Sequence, residues 1–452
     1  MYDPLHDAIP GINLHYPNSY WADVSGQPPA TDGQLSDDLD VDVAIIGAGY
    51  TGLSCAYHLA KVHGINAVVL EANQTAWGCS GRNAGFVLKS SGRKSFTQMA
   101  SDWGEDVMRG IYQEMAAGVD TVNSLIAEGI DCDRQAPGYI KVAHKPSKLN
   151  ELIALADIQR QQFGYQVEVL SKQQVRAQYM DDQQAYGAIR YQDGFGLNPL
   201  KLAWGYQRLA REAGAKIYTG TPVVECQQQR GERNTQLLIT PQAAVRAKKV
   251  VLASNGYTPK GFHPLVNNRF LPVLSQIIVT EPLTEAQIHA CNWQTNNVVM
   301  DTRALKYYYR KLPDNRILFG GRGAITGKGA EHDYYPKRLL SVLKQSFPAL
   351  EQLKYDYAWA GWICMSLDDI PHIYHDEKQQ VFYAMGYCGA GLSFSAQAGK
   401  RLAEKVAEQP LPSSLQNLPI FNRHLPKFPF APLRRAGQWS YFQYGKVKDK
   451  YF

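Results

Sequence analysis

No apolar run in the chain approaches the roughly 18 residues of a membrane-spanning helix, so none is expected. Cysteine is sparse: the 7 residues at 55, 79, 132, 226, 291, 364 and 388 include no C-x-x-C pair. That spacing speaks against a disulfide framework and against a cysteine zinc site. Neither H-E-x-x-H nor G-x-S-x-G occurs, so no metal centre and no hydrolase nucleophile elbow is expected. Repeats, low-complexity tracts and nucleic-acid-binding motifs are also absent. The opening "MYDPLHDAIPGINLHYPNSY" lacks a basic start followed by an apolar stretch. A secretory signal is therefore not expected, and cytoplasmic residence is.

Basic residues are missing from one end only. Residues 1–42 hold eight Asp and no Lys or Arg, whereas 423–452 hold seven Lys/Arg against one Asp. The acidic arm and the basic tail either pair with each other or are solvated separately. The tail also carries Trp439, Tyr441, Phe442, Tyr444, Tyr451 and Phe452. Such an end either packs on its own protein or touches an anionic membrane surface.

What the chain does have is "VDVAIIGAGYTGLSCAYHLA" (41–60). Val43–Ile46 reads as a buried strand, 51–63 as a helix, and Ala67–Leu70 as a second strand closing on Glu71. Gly47 permits the tight turn, Gly49 lets the backbone approach a pyrophosphate, and Gly52 allows close helix–strand packing. The helix starting near Thr51 points free N–H groups and its positive dipole end at the phosphates. Glu71 follows Gly52 by nineteen residues, the spacing for ribose hydroxyls, and an acid there suits FAD or NAD rather than NADP. The choice falls to "GCSGRNAGF" (78–86). A flavin ring gripped along its length by backbone N–H groups needs glycine and serine there, whereas a nicotinamide does not. A third element, "GYCGAGLS" (386–393), precedes another helical stretch, whose start suits the negative charge that develops on a reduced flavin.

These motifs resemble the D-amino-acid oxidase-like family of FAD-dependent amine and amino-acid oxidoreductases. "GAGYTG", "GCSGRNAG" and "GYCGAG" stand where that family has GxGxxG, a G-A-S-G-R-N-G-G-type loop and a G-x-S-G-H-G element. "SYWAD" (19–23), "IDCDRQAPGYIKVA" (130–143), "GFGLNPLKLA" (194–203) and "YYRKLPDNRILFGG" (308–321) are similar to the branch that oxidises γ-glutamylated polyamines. The resemblance implies FAD as cofactor and an α/β fold. A Rossmann-like, three-layer FAD-binding domain with a mostly parallel sheet would be interleaved with an α+β substrate domain on a mainly antiparallel sheet. The implied division is an arm at 1–40, FAD-binding pieces at 41–90, 195–265 and 355–420, substrate pieces at 91–194 and 266–354, and a tail at 421–452.

Carried over residue by residue, the family's cofactor contacts fall on Gly47, Gly49, Tyr50, Thr51, Gly52, Glu71 and Ala72. They continue through Gly78, Cys79, Ser80, Gly81, Arg82, Asn83, Ala84 and Gly85. Val224 would contact adenine through its backbone, Asn255 and Gly256 would end a strand near the cofactor, and Gly389, Ala390, Gly391 and Leu392 would surround the flavin's pyrimidine edge. Ala390 replaces the family's histidine, leaving backbone amides and the helix dipole to hold charge there. Cys364, in "GWICMSLDD", matches a cysteine that sarcosine oxidases bond covalently to FAD; it is either such a link or a buried apolar thiol. Those enzymes also place an oxygen-activating lysine on the strand matching "RILFGG" (316–321), which has none, and nothing in the pattern singles out Lys306 or Lys311 instead.

The implied substrate is a small primary or secondary amine, γ-glutamylated or otherwise carboxylate-bearing, with oxygen as acceptor. A sarcosine- or glycine-type amino acid, or a flavin-binding subunit needing a partner for turnover, are the alternatives. On a strand through Tyr307–Tyr309, either Tyr308 alone or Tyr307 with Tyr309 faces the flavin. Arg310 either pairs with a substrate carboxylate or is solvated. Trp359 and Trp362 are read as core residues, with pocket lining the other option.

Overall fold

The computed structural model describes residues 1–90, 92–229 and 235–451. Two sheets organise it. The first runs in the order 372–376, 381–385, 244–252, 39–46, 67–70, 216–218, with 235–239 and 225–229 branching from 244–252. Its centre is parallel: 39–46 pairs with 67–70 and 244–252, and 244–252 pairs with 381–385. Ala67–Leu70 and Val381–Met385 are buried throughout, as strands covered on both faces must be, which is why they read as continuous apolar runs.

Helices Tyr50–His63, Glu105–Ala127, Pro199–Glu212 and Gly391–Val406 pack together beside this sheet. Their approach is close: a Cβ on Gly118 would lie 2.3 Å from the Ser393 carbonyl oxygen, and one on Gly399 would lie 2.5 Å from that of Thr51. Helix Glu105–Ala127 therefore packs with the first sheet's helices, although 91–194 was expected to serve the substrate unit.

The second sheet runs 355–365, 271–280, 317–322, 308–311, 298–301, 139–142, 187–191, 167–171. All its pairs are antiparallel except 298–301 with 139–142. Strand Tyr355–Met365, expected with the cofactor unit, pairs along its length with Leu271–Thr280 and belongs here. The register places Lys141, Met300, Tyr308, Gly320, Ile277 and Trp359 in one row across six strands. Because side chains alternate faces, the interleaved Ile140, Val299, Tyr309, Phe319 and Ile278 point the other way. They form a core with Leu339, Leu343 and Phe347 at helix Tyr334–Ser346.

The basic tail forms helix Arg434–Tyr451, and Phe452 lies outside the described residues. Among the described residues arm and tail meet at one ion pair, Arg435 to Asp3 at 2.8 Å, while Asp32, Asp40 and Asp42 pair with Arg211 and Lys216, Arg246, and Lys248. Among the described residues no helix is long and apolar enough to cross a membrane, and no group of three or more His, Cys, Asp or Glu is placed to hold a metal.

Candidate active site

Strand Leu39–Ile46 ends at Gly47, whose φ of +109° and N–H bond to the Leu70 carbonyl (2.9 Å) make the turn. Helix Tyr50–His63 starts at once, with Gly49 as an N-cap that offers no side-chain acceptor. Of its first-turn amides, that of Tyr50 donates to Ser80 Oγ at 3.1 Å, and those of Thr51 and Gly52 are left for an anion. Gly52 lies under the turn: a Cβ there would stand 2.0 Å from the Gly47 carbonyl oxygen. The Glu71 carboxylate accepts the N–H groups of Ala48 (2.9 Å) and Asn73 (3.0 Å), and burial pushes its pKa up. A carboxylate has about four lone-pair sites, so two remain for hydroxyl donors.

The loop at 78–85 divides by role. Gly78, Cys79, Ser80, Arg82, Asn83 and Ala84 line the cavity that opens above Gly47. Gly81 and Gly85, expected at the cofactor, do not. Gly81 packs on the Ala76 carbonyl, and a Cβ on Gly85 would meet the Leu197 carbonyl at 2.0 Å and the Arg310 guanidinium at 2.7 Å. Arg82 lies over the Trp77 ring and donates to the Trp77 and Ala360 carbonyls, tying this loop to the second sheet.

Two further residues expected near the cofactor, Val224 and Gly256, do not line the cavity. The Val224 side chain is 37% exposed and its N–H is taken by the Ile239 carbonyl, so Pro222 and Val223 line the cavity in its place. Asn255 lines it too, but Gly256 packs against Ile363 and Cys364. At the third element, Cys388, Gly389, Ala390, Gly391 and Leu392 all border the cavity. Helix Gly391–Val406 begins there without a side-chain cap, and Tyr387 Oη meets Thr51 Oγ1 at 2.7 Å, joining the two helix starts. Cys364 also lines the cavity, and burial raises its thiol pKa.

The opposite wall is one face of the second sheet: Tyr139, Lys141, Ser275, Ile277, Met300, Tyr308 and Arg322. Of the three tyrosines Tyr308 alone faces in, its hydroxyl 2.6 Å from Ser275 Oγ and its pKa pushed up to about 12 by burial. Tyr309 turns to the other face, where it donates to Asp182 at 2.5 Å. Arg310 is neither solvated nor in the cavity. It is 1% exposed, bonds to Gln135 and the Leu197 carbonyl, and faces the rings of Trp21 and Phe86. Burial lowers its pKa to about 9. Trp359 and Trp362 are core residues, as read. Lys141, Lys306 and Arg322 were not foreseen in the cavity. For Lys141 and Arg322 the signal is the cross-strand register, which a single strand's pattern does not carry, while Lys306 precedes strand Tyr308–Lys311.

The cavity encloses about 390 Å³. Residues 42–405 match the family model described as FAD dependent oxidoreductase (DAO). The chain belongs to this family. It is an FAD-dependent oxidoreductase. Gamma-glutamylputrescine oxidoreductase of Escherichia coli is 31% identical over 388 residues, covering 86% of this chain and 88% of the relative. Glycine oxidase of Bacillus subtilis is 23% identical over 380 residues, covering 81% and 92%. The crystal structure of glycine oxidase from Geobacillus kaustophilus superposes with a TM-score of 0.69 at 21% identity, covering 86% of this chain and 100% of that one. That of L-proline dehydrogenase from P. horikoshii gives 0.69 at 18% identity, covering 85% and 98%. The residues present fit FAD: two helix starts whose N-cap residues make no side-chain bond face one cavity, a carboxylate with spare acceptor sites borders it, and around Gly389 (φ +97°) an added Cβ would meet nothing within 4 Å.

Proposed function

We propose that this FAD-dependent enzyme oxidises the CH–NH bond of a primary or secondary amine of γ-glutamylputrescine type, with oxygen as acceptor. Gly49, Tyr50 and Thr51 would hold the FAD pyrophosphate, Glu71 the ribose, residues 78–84 the flavin side, and Gly389 to Leu392 the pyrimidine edge. FAD, when bound, supplies a two-electron acceptor for the amine's α-hydride, the resulting imine hydrolysing to an aldehyde.

The observation that carries the reading is the wall opposite the glycine loops. Met300 and Ile277 exclude water beside Tyr308, and Tyr308 Oη with Ser275 Oγ offers a polar pair that orients a ligand. Lys141, Lys306 and Arg322 stand nearby. Cations there attract a substrate carboxylate and lower the pKa of a substrate ammonium, favouring the neutral amine that oxidation requires. The similarity to the Escherichia coli enzyme supports the γ-glutamyl choice.

A second reading, oxidation of a sarcosine- or glycine-type amino acid, draws on Cys364 in the cavity lining and on the similarity to glycine oxidase. Anaerobic visible spectra test both. Bleaching of the yellow protein by γ-glutamylputrescine but not putrescine, reversed by air, is the expected result. Bleaching by sarcosine alone selects the second reading, and no bleaching by any amine refutes both.

A further inference from the structure

The family match ends at residue 405, and helix Arg434–Tyr451 lies beyond it. One side of this helix is fastened to the protein. Arg434 donates to the Phe270 carbonyl at 2.5 Å, and Arg435 pairs with Asp3. Tyr441 Oη accepts from Arg93 at 2.5 Å, and a Cβ on Gly445 would lie 2.8 Å from Leu305 Cγ. The Asp449 carboxylate accepts the N–H groups of Ala304 (2.6 Å) and Leu305 (3.0 Å).

The other side is apolar and bare. At about 3.6 residues per turn, Tyr444, Val447 and Tyr451 fall in one row, and Leu433, in the turn leading into the helix, extends it. Phe430 precedes the row and Trp439 flanks it. These six side chains are between 49% and 74% exposed. Exposed apolar residues scattered singly need no partner, but a continuous row does. Lysines edge the row on both sides. Lys448 Nζ lies 5.9 Å from the centre of the Tyr444 ring, and Lys450 Nζ lies 4.9 Å from that of Tyr451. Lys446 is exposed one turn before Lys450. Among the described residues none of these three lysines has an ion pair, and Asp449, the one acid of the helix, is turned inward.

We propose that this face of the helix docks on an anionic lipid surface. The row of Leu433, Tyr444, Val447 and Tyr451 enters the headgroup layer. The lysine stems run along its edges and bring their ammonium groups to the lipid phosphates. Charge decides against a second copy of the chain. A two-fold contact would set the row against itself, so that lysines on both edges meet lysines. Gly437 and Ser440, which complete the row between Leu433 and Tyr444, also give a second helix no knobs to pack. The proposal is independent of which amine the enzyme oxidises.

Cosedimentation of the FAD-loaded protein with vesicles tests it, using phosphatidylcholine alone and phosphatidylcholine mixed with phosphatidylglycerol. Each lysine near an anionic surface is worth about fivefold, so the mixed vesicles should bind about a hundredfold more tightly. Raising salt from about 0.1 M to about 1 M should release the protein. Tyr444→Ser with Tyr451→Ser, and separately Lys446→Gln with Lys450→Gln, should each weaken binding at least tenfold. All four side chains are exposed, so the flavin band and Tm should match the parent. Trp439 is the only exposed tryptophan among the described residues. Brominated lipid in the mixed vesicles should therefore quench its fluorescence, and Trp439→Phe should abolish that quenching. Equal affinity for the two vesicle types, no binding to either, or parental binding by both double variants overturns the proposal. A dimer that forms without lipid and is lost in the tyrosine double variant also overturns it, by giving the row to a second copy.

Discussion

Replacing Gly52 with alanine adds one methyl group at the point where helix Tyr50–His63 leans on the Gly47 turn. That Cβ would stand 2.0 Å from the Gly47 carbonyl oxygen and 3.2 Å from Ile45 Cγ2. Real Cβ contacts do not fall under 3.0 Å, so helix and turn must separate by about 1 Å. The turn cannot simply give way, because Gly47 is bonded to Leu70 and lies against the backbone of Ala253 and Ser254. Overpacking of this kind destabilises by roughly 1–3 kcal/mol. The larger effect is on the amides that the helix start presents. Misaligning one or two charge-assisted hydrogen bonds of roughly 1.5–3 kcal/mol each removes about 3 kcal/mol of binding, a Kd for FAD raised about a hundredfold. Titrating apoprotein with FAD, followed by quenching of flavin fluorescence, measures it. Gly437→Ala is the control: its Cβ meets nothing within 4 Å in helix Arg434–Tyr451, so stability should rise by about 0.5–1 kcal/mol with FAD affinity unchanged. A Gly52→Ala protein binding FAD within threefold of the parent refutes the reasoning.

Tyr309→Phe removes the donor to buried Asp182 and should destabilise by about 1–3 kcal/mol in urea unfolding. KM should stay unchanged, because Tyr309 faces away from the cavity; a raised KM contradicts the register. Lys306 has a folded pKa lowered to about 7, below that of a lysine in the unfolded chain. Between that value and about 10.4 the unfolded chain binds more protons, so this group's contribution to apoprotein stability increases as pH rises through the window. Loss of that rise in Lys306→Met, measured by urea midpoints, identifies the source; an unaltered profile refutes it. Because burial raises the Cys364 thiol pKa and keeps it protonated, acid precipitation should leave the yellow colour in the supernatant. Colour that stays in the pellet establishes a covalent link.

The cofactor side was legible because its signals are local. Gly47, Gly49, Gly52 and Glu71 occupy fixed offsets along one strand–helix–strand unit, and the chain folds into that unit. Val224 does not line the cavity, and its N–H is already taken by the Ile239 carbonyl, a strand-end pairing that depends on a neighbouring strand. Gly85 was read as a cofactor residue, but its lack of a side chain makes room for Leu197 and Arg310, a contact that sequence proximity does not reveal. Arg310 shares its face with Tyr308 by alternation, yet two residues further along that face is covered by Trp21 and Phe86. The cationic wall was the least legible part. Lys141 and Arg322 come within one row or two of each other only after strands from 139 to 322 have found their register, and that pairing is nonlocal.

The two faces of the second sheet divide labour position by position along the same strands. Tyr139, Lys141, Tyr308 and Arg322 border the chamber, whereas Ile140, Tyr309 and Phe319, interleaved with them, hold the sheet to helix Tyr334–Ser346. A lineage can therefore exchange one guest for another by single codon changes at every second residue while the intervening ones keep the molecule folded. Exchange of the chamber-facing side chains leaves untouched the residues of the same strands that pack on the helix.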